Sequence, residues 1–406
     1  MKKAVIYGSG NIGRGFIGQL FHMSGYEITF IDINKAVIDR LNAFGRYPIY
    51  VTNGEDYKEY VVTNVHGIDG NDTEAVSAAV ADAEIMATAV GVNALRFIAA
   101  PIAQGVARRM ATGCVLPLNI IVRENMIDVD KYLSELIKAE LTVEGKEYFD
   151  KNVALIEPSI GRMVPATPEE IAKREMLAVC VEPYCELPVD RAAFKGEMPK
   201  IVNMRPFSPF EFHIRRKLFM HNMSHALTAY LGNLKGYTYI WEASGDFEIR
   251  KIALRALGEV SYAMSREYGV AESELVTFGV ELMERYDNKL LGDTVFRVGR
   301  DTKRKLSEND RFVGAIRLCE KHGGSPKSIL LGLAAGLHFA PEGDGASAEI
   351  AANIAEKGIA DTLERFCGID RSSAAVGFVE KAYSALGKMA QNASFAEILA
   401  ELGIEI

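Results

Sequence analysis

The first half of the chain alternates short apolar runs with amphipathic segments. The runs "KAVIYG", "EITFIDI", "EIMATAVG" and "CVLPLNII" indicate buried strands, and helical patterns separate them, such as the one from Ile12 to about Ser24. Strands that alternate with helices predict parallel βαβ units and a doubly wound sheet. A different alternation over residues 47–68 indicates two further strands, joined by a hairpin that turns at Asn53-Gly54.

The second half has a different pattern. A β-rich region extends to about residue 190, and the segment 193–209, rich in proline, glycine and lysine, is typical of a connector. Long amphipathic helical patterns then follow over 210–232, 246–268, 271–286, 309–322, 325–338, 346–365 and 371–404. The predicted fold class is α/β plus all-α, with a Rossmann-type domain over 1–200 and a mostly helical domain over 201–406.

Composition narrows the class of protein. The chain has 406 residues, enough for two domains, and its net charge of −8 disfavours a nucleic-acid binder. It opens without a signal peptide, and no uncharged apolar run approaches the roughly 18–20 residues that span a bilayer, so we expect a cytoplasmic protein. Five scattered cysteines indicate reduced thiols, and the spacing of Cys180 and Cys185 is not that of a zinc pair, so no metal is predicted.

A glycine-rich turn follows the first predicted strand. In "AVIYGSGNIGRGF" the glycines have the spacing of a dinucleotide-binding turn, between a strand and a helix. The first glycine allows the tight turn, the second lets a pyrophosphate approach the backbone, and the third allows close packing of helix on strand. The residues of this turn predicted to bind the cofactor are Gly8, Gly10, Asn11, Ile12 and Gly13.

The cofactor is further specified by an acidic residue at the end of the second strand. Asp32, in "TFIDIN", can accept hydrogen bonds from ribose hydroxyls and would repel a 2′-phosphate, which favours NAD over NADP. The alternative for Asp32 is a solvated loop residue or a helix N-cap. Val90 and Gly91, in the turn after "EIMATA", are predicted from topology to lie near the nicotinamide half of the cofactor.

Polar side chains concentrate in "RRKLFMHNMSH", residues 215–225. Wound as an α-helix at roughly 100° per residue, Lys217, His221, Asn222 and His225 share one arc of about 140°. Oxidation of a secondary alcohol needs a base for the hydroxyl proton and donors for the oxygen that develops charge. Lysine can be that base if burial and neighbouring cations lower its pKa. The alternative, a solvated helix face, would more usually carry Glu and Lys pairs.

The order Lys217-x4-Asn222-x2-His225, downstream of "GSGNIGRGFIG", resembles the signature of the polyol-specific long-chain dehydrogenases, the mannitol dehydrogenase family. The segment "RVGRDTKRKLSENDRF" is most similar to the branch that acts on phosphorylated mannitol. The resemblance implies a Rossmann-type domain followed by an all-helical one, with a zinc-independent active site between them. It implies that Lys217 is the general base, that Asn222 and His225 orient the substrate, and that Asn125 contributes to the oxyanion site.

The sequence also departs from that family pattern. Arg215 stands where a glutamate is usual, Gly161 where an aspartate is expected, and His221 and Met223 replace other small or aliphatic residues. His221 could tune Lys217, contact substrate or pack. The segment 297–312 contains six basic residues in sixteen, and a solvated loop is the alternative to a phosphate site. Candidates for the phosphate are Arg297, Arg300, Arg304, Lys305 and Arg311, of which Arg300, Arg304 and Lys305 form the site prediction.

The main functional hypothesis is an NAD-dependent oxidoreductase that interconverts D-mannitol 1-phosphate and D-fructose 6-phosphate. One alternative keeps the chemistry and changes the substrate, to a hexuronate such as fructuronate or tagaturonate or to an unphosphorylated polyol. Another is a non-catalytic NAD-binding sensor. The expected partner is a small molecule, with neither nucleic acid nor membrane, and the chain is expected to be a monomer or a weak homo-oligomer.

Overall fold

The computed structural model describes residues 2–124, 126, 128–391 and 394–404. The chain packs as two compact units, Met1–His213 and Ile214–Ile406. The domain boundary expected from the sequence, between residues 200 and 201, falls inside the first unit. Each unit is described separately below.

The first unit is built on a parallel sheet. In its described part, six strands lie in the order β5-β2-β1-β6-β7-β8, and every neighbouring pair is parallel. The strands are β1 Lys2–Tyr7, β2 Tyr26–Asp32, β5 Val65–Asp69, β6 Ile85–Thr88, β7 Leu118–Val122 and β8 Val153–Ile156. The order runs outward from β1 in both directions, which is the doubly wound topology that the alternating pattern predicted.

Helices cover both faces of this sheet and bury two separate hydrophobic cores. One core contains Phe16, Leu20 and Phe30, and the other contains Ile98 and Leu133. The helical segments of this unit are Gly13–Gly18 (a π-helix), Gln19–Met23, Lys35–Phe44, Thr73–Asp82, Val92–Ala94 (3₁₀), Leu95–Ala111, Val129–Ala139, Val143–Asn152, Glu169–Arg174 and Arg191–Ala193 (3₁₀). The strands read as continuous apolar runs because both of their faces are covered.

Two smaller sheets complete the first unit. Strands β3 Arg46–Thr52 and β4 Tyr57–Thr63 form the expected antiparallel hairpin around Asn53-Gly54, and β9 Val179–Val181 adds to β3 in parallel. Strands β10 Leu187–Asp190 and β11 Met204–Phe207 pair in parallel. The interpretation of 193–209 as a plain connector is therefore wrong in part, because β11 lies within it.

The second unit is helical, as predicted. Its segments, with the helix that leads into it, are Glu211–Arg216, Lys217–Asn222 (π), Met223–Leu234, Ile240–Gly245, Phe247–Tyr268, Glu272–Tyr286, Lys289–Leu291 (3₁₀), Val295–Gly299, Thr302–Lys305, Val313–Lys321, Lys327–His338, Gly345–Thr362 (interrupted at Gly358), Leu363–Cys367 (π), Ala374–Gly387, Lys388–Gln391 (3₁₀) and Phe395–Glu401. The short helices between 289 and 305 lie outside the predicted stretches. In the ranges that the structure describes, no helix combines the length and the apolar character needed to cross a bilayer.

Segment Lys327–His338 is buried on nearly every side and forms the centre of the helical unit. Its first turn is held by Glu259, whose buried carboxylate accepts hydrogen bonds from the backbone N–H groups of Ser328 (2.9 Å) and Ile329 (3.2 Å). A carboxylate at a helix N-terminus satisfies N–H groups that have no partner within the helix and suits the positive end of the helix dipole. Burial raises the pKa of Glu259, and these hydrogen bonds oppose that shift.

Candidate active site

The glycine-rich turn joins β1 to a helical segment that starts at Asn11. Gly8 has φ +105°, and a Cβ atom there would collide with the carbonyl of Ala89. A Cβ at Gly13 would collide with the carbonyl oxygen of Gly8, so this glycine lets the helix pack directly on the turn. Around Gly10, in contrast, no atom lies within 4 Å of the added Cβ position. Two glycines therefore shape the turn, and the third leaves open space beside its backbone.

The other two residues predicted in this turn make contacts within the protein. The Asn11 side chain donates a hydrogen bond to the carbonyl of Pro165 (2.8 Å), and Ile12 packs against the hydrophobic core. A cofactor contact from either residue, as from the three glycines, stays a prediction.

Asp32 ends β2 and is tied to the glycine-rich turn. Its Oδ2 accepts hydrogen bonds from the backbone N–H of Ser9 (2.6 Å) and from the Ser9 hydroxyl (2.7 Å). Its Oδ1 accepts a hydrogen bond from the backbone N–H of Asn34 (2.9 Å). The carboxylate therefore orders the turn, whichever ribose contact it also makes. The ribose contact stays a prediction.

The turn after β6 is held by Glu124, a residue that the sequence interpretation did not single out. This buried carboxylate accepts hydrogen bonds from Thr88 Oγ1 (2.5 Å), Val90 N (2.9 Å) and Gly91 N (3.4 Å). The N–H groups of Val90 and Gly91, both predicted to lie by the nicotinamide, are thus bound by Glu124. The available signal was its place directly after the β7 run. The neighbouring Asn125, predicted for the oxyanion site, lies outside the described residues.

In the second unit, the polar segment is not the α-helix assumed for the sequence. Residues Lys217–Asn222 form a π-helix between two α-helical segments. In a π-helix each hydrogen bond runs from i to i+5, so Lys217 and Asn222 lie roughly one turn apart on the same side. The angle between them derived at 100° per residue was therefore wrong. Lys217 and Asn222 are half-buried, and His221 is buried.

His225 lies in a network that the sequence did not reveal. Its Nε2 is 3.2 Å from Oδ2 of the buried Asp293, and its ring stacks on Tyr286 with centroids 4.6 Å apart. Arg297 holds the same carboxylate with two donors, each at 2.6 Å. Burial works to raise the pKa of Asp293, but His225 and Arg297 outweigh it and lower that pKa to about 2. Burial lowers the pKa of His225, and Asp293 opposes that shift.

Arg297 thus has a role that differs from the candidate role in phosphate binding. It fixes Asp293, which in turn lies against His225. No sequence pattern links residues 225, 286 and 293, because the chain brings them together only through the packing of separate helices.

We expect Asp293→Asn to lower the free energy of unfolding by about 2 kcal/mol at neutral pH, because a carboxylate whose folded-state pKa is depressed from 3.8 to about 2 stabilises the fold. This stabilisation is present above pH ~4 and is lost as pH falls toward 2. Urea unfolding should show the difference between variant and wild type shrinking below pH 4. Asp82→Asn, which removes only an exposed ion pair with Lys3, is the control and should change little. A constant difference at every pH would contradict this role of Asp293.

His221 is enclosed by positive charge. Burial lowers its pKa well below the ordinary value, and the charges of Arg285, His225, Lys217 and Arg311 act in the same direction. The backbone carbonyl of His221 accepts a hydrogen bond from the Tyr286 hydroxyl (2.9 Å). His221 is therefore a neutral imidazole near pH 7, packed beneath the stacked ring pair.

The basic segment is engaged by the protein's own groups. Arg304 pairs with Asp301 (2.6 Å) and Asp310 (3.3 Å). Lys305 is buried and donates hydrogen bonds to the carbonyls of Val298 and Arg300. Burial, together with neighbouring arginines, lowers the pKa of Lys305 to about 7.

The remaining basic candidates differ in exposure. Arg300 is exposed, whereas Arg311 is buried, pairs with Asp310 (2.7 Å) and donates to the carbonyl of Asn222 (3.4 Å). Arg311 therefore contacts the π-helix that carries Lys217. A phosphate contact from Arg300, Arg304 or Lys305 stays a prediction.

These features define a class of protein: a Rossmann-type dinucleotide-binding unit followed by a helical unit that carries a lysine, an asparagine and a histidine on one segment. The chain belongs to the mannitol dehydrogenase family. The profile of the mannitol dehydrogenase Rossmann domain matches residues 2–203, and that of the mannitol dehydrogenase C-terminal domain matches residues 209–387. These matches confirm the family resemblance found in the sequence.

Individual relatives agree. The chain is 36% identical over 386 residues to mannitol-1-phosphate 5-dehydrogenase of Thermoanaerobacter pseudethanolicus, covering 95% of this chain and 98% of the relative. Its fold matches Pseudomonas fluorescens mannitol 2-dehydrogenase, solved with NAD and D-mannitol, with a TM-score of 0.76 at 15% identity over 99% and 94% of the two chains. A D-sorbitol dehydrogenase matches with a TM-score of 0.72 at 14% identity over 98% and 91%.

Proposed function

We propose that this protein is an NAD-dependent dehydrogenase that interconverts D-mannitol 1-phosphate and D-fructose 6-phosphate without a metal. The observation that carries the proposal is the set Lys217, Asn222 and His225 on one helical segment, with His225 fixed by the buried Asp293. The 36% identity to a mannitol-1-phosphate 5-dehydrogenase supports the same reaction.

The residues of the first unit fit a dinucleotide. The space beside Gly10 admits a pyrophosphate to the backbone, and the N-terminus of the following helix favours an anion. Asp32, at the end of β2, retains oxygen lone pairs for ribose hydroxyls, since each carboxylate oxygen accepts more than one hydrogen bond. When bound, NAD supplies the hydride acceptor.

The residues of the second unit supply the proton chemistry. The neutral Lys217 amine takes the proton of the substrate hydroxyl as the hydrogen on the same carbon leaves as hydride, and the carbinol becomes a ketone. The Asn222 amide donates a hydrogen bond to the reacting oxygen, and this bond strengthens as negative charge develops there. His225, held against Asp293 and stacked on Tyr286, orients the substrate. In the reverse direction Lys217 returns the proton to the alkoxide.

The alternative is a substrate without phosphate, such as a hexuronate or a free polyol. The observation that favours it is that Arg304 is paired with carboxylates and that Lys305 is bound to backbone carbonyls. Gly161, where the family has an aspartate, and Arg215, where it has a glutamate, also fit a changed substrate.

The deciding measurement is kcat/KM with NADH for three ketoses: fructose 6-phosphate, fructuronate and fructose. We expect fructose 6-phosphate to be preferred by at least about 100-fold over fructose, since charge-assisted hydrogen bonds to a phosphate are each worth roughly 1.5–3 kcal/mol. A preference for fructuronate would assign the protein to hexuronate reduction. NADH binding without consumption of any ketose would instead indicate a sensor.

A further inference from the structure

Buried arginines in the first unit are normally bound by the protein's own oxygens. Arg14 donates to the carbonyls of Leu177 and Ser9. Arg109 donates to three backbone carbonyls at 2.7–2.9 Å. Arg162 donates to the carbonyls of Glu182 and Gly15 and to the Gln19 side chain. Each guanidinium is thereby compensated for its loss of water.

Arg123 is different. Its Nε is buried and has no hydrogen-bond partner, and no ion pair links its guanidinium to any residue in the described ranges. Burial lowers the pKa of Arg123, and the charge of the adjacent Glu124 only partly offsets this shift. The carboxylate of Glu124 is directed at Thr88, Val90 and Gly91 instead. A buried charge without a partner is costly, so its presence requires an explanation.

The position of Arg123 points to a ligand. It directly follows β7, at the carboxyl edge of the parallel sheet, where doubly wound folds bind their ligands. Strand β7 lies two strands from β1 in the order β1-β6-β7, or about 10 Å across the sheet. Because the glycine-rich turn that receives the pyrophosphate follows β1, the end of β7 lies on the substrate side of the cofactor.

We propose that Arg123 is a substrate-binding residue that recognises an anionic group of the substrate, a phosphate or a carboxylate, and so sets substrate selectivity. A guanidinium forms two parallel hydrogen bonds to either anion, which the protein's own groups leave unmade at Arg123. The proposal deepens the proposed function, on which it rests for the reaction. It also provides a cation for the substrate anion where Arg304 and Lys305 are already engaged.

The test uses Arg123→Gln in the full-length protein. We expect kcat/KM for fructose 6-phosphate to fall roughly 10- to 100-fold, chiefly through KM, because one or two charge-assisted hydrogen bonds are lost. The value for fructose should fall less than about 3-fold, so the selectivity between the two collapses. Fructuronate, measured alongside, shows whether a phosphate or a carboxylate is the anion. An equal fall for fructose 6-phosphate and fructose would overturn the proposal.

Two control variants separate recognition from folding. Arg123→Met removes an uncompensated charge and should not lower Tm, whereas Arg162→Met removes several hydrogen bonds and should lower it. Arg108→Gln, which loses an ion pair with Glu74, should leave the selectivity unchanged. A lower Tm for Arg123→Met, comparable to that of Arg162→Met, would assign Arg123 to the fold and contradict a role in binding.

Direct binding distinguishes failure of this inference from failure of the proposed function. Calorimetry with inorganic phosphate and with acetate, on the NADH complex, measures anion affinity without turnover. If the wild type binds either anion at least about 10-fold more tightly than Arg123→Gln, the inference stands even where no ketose is reduced. If both proteins bind the anions equally while the wild type reduces fructose 6-phosphate, the inference is wrong and the proposed function stands.

Discussion

Replacing Lys217 with alanine should lower kcat by roughly 10²- to 10⁴-fold, the contribution usually made by a general base. The alanine leaves the hydroxyl proton without an acceptor, while Asn222 and His225 can still hold the substrate. We therefore expect KM for the ketose to change much less than kcat. Steady-state kinetics in both directions, with the Kd of NADH measured by fluorescence, would show this pattern.

The control is Lys251→Ala, which removes an exposed lysine of the same helical unit and should be neutral. Added small primary amines should restore part of the activity of Lys217→Ala, since they replace the missing base, and should not affect the control. Near-normal turnover of Lys217→Ala would remove the lysine from the mechanism. Loss of turnover together with a lowered Tm, and no rescue by amines, would instead indicate a structural lysine.

The second large effect concerns the glycine-rich turn, where alanine should act differently at two positions. Gly10→Ala should fold normally, because no atom lies within 4 Å of the new methyl group, yet it should weaken NADH binding by about 100-fold or more. The methyl group occupies the space through which a pyrophosphate reaches the backbone. Fluorescence titration with NADH and thermal unfolding without it measure the two quantities separately.

Gly13→Ala should lower the free energy of unfolding by about 1–3 kcal/mol, because its methyl group collides with the rigid carbonyl of Gly8. For Gly13→Ala, unlike Gly10→Ala, the loss should appear without any cofactor present. If Gly10→Ala binds NADH as the wild type does, the glycine-rich turn is not where the pyrophosphate lies. If Gly13→Ala keeps its full stability, the turn must relax in a way that the structure does not suggest.

The sheet and the helical unit were predictable from the sequence because their signals are local. A buried parallel strand shows as a continuous apolar run such as "EITFIDI", and an amphipathic helix shows as a repeat near 3.6 residues. Strand β11 was missed because it is four residues long and contains a proline. Its pairing with β10 depends on tertiary packing rather than on its own composition.

The candidate site was predictable only where residues lie close in sequence. Lys217, Asn222 and His225 were found as neighbours on one segment, whereas Asp293 and Tyr286 join them from other helices. No periodicity reports such long-range partners. The π-helix was also out of reach, since apolar spacing over six residues does not distinguish hydrogen bonds to i+4 from those to i+5.

The π-helix at Lys217–Asn222 makes the site sensitive to chain length as well as to residue identity. Deleting one residue from its middle would let an ordinary α-helix form, and the backbone hydrogen bonds would lose little. Everything before the deletion would then rotate by roughly 100° relative to everything after it. Lys217 would turn away from His225 although both side chains were retained. For this segment, the register of the helix is therefore itself part of the catalytic apparatus that we propose.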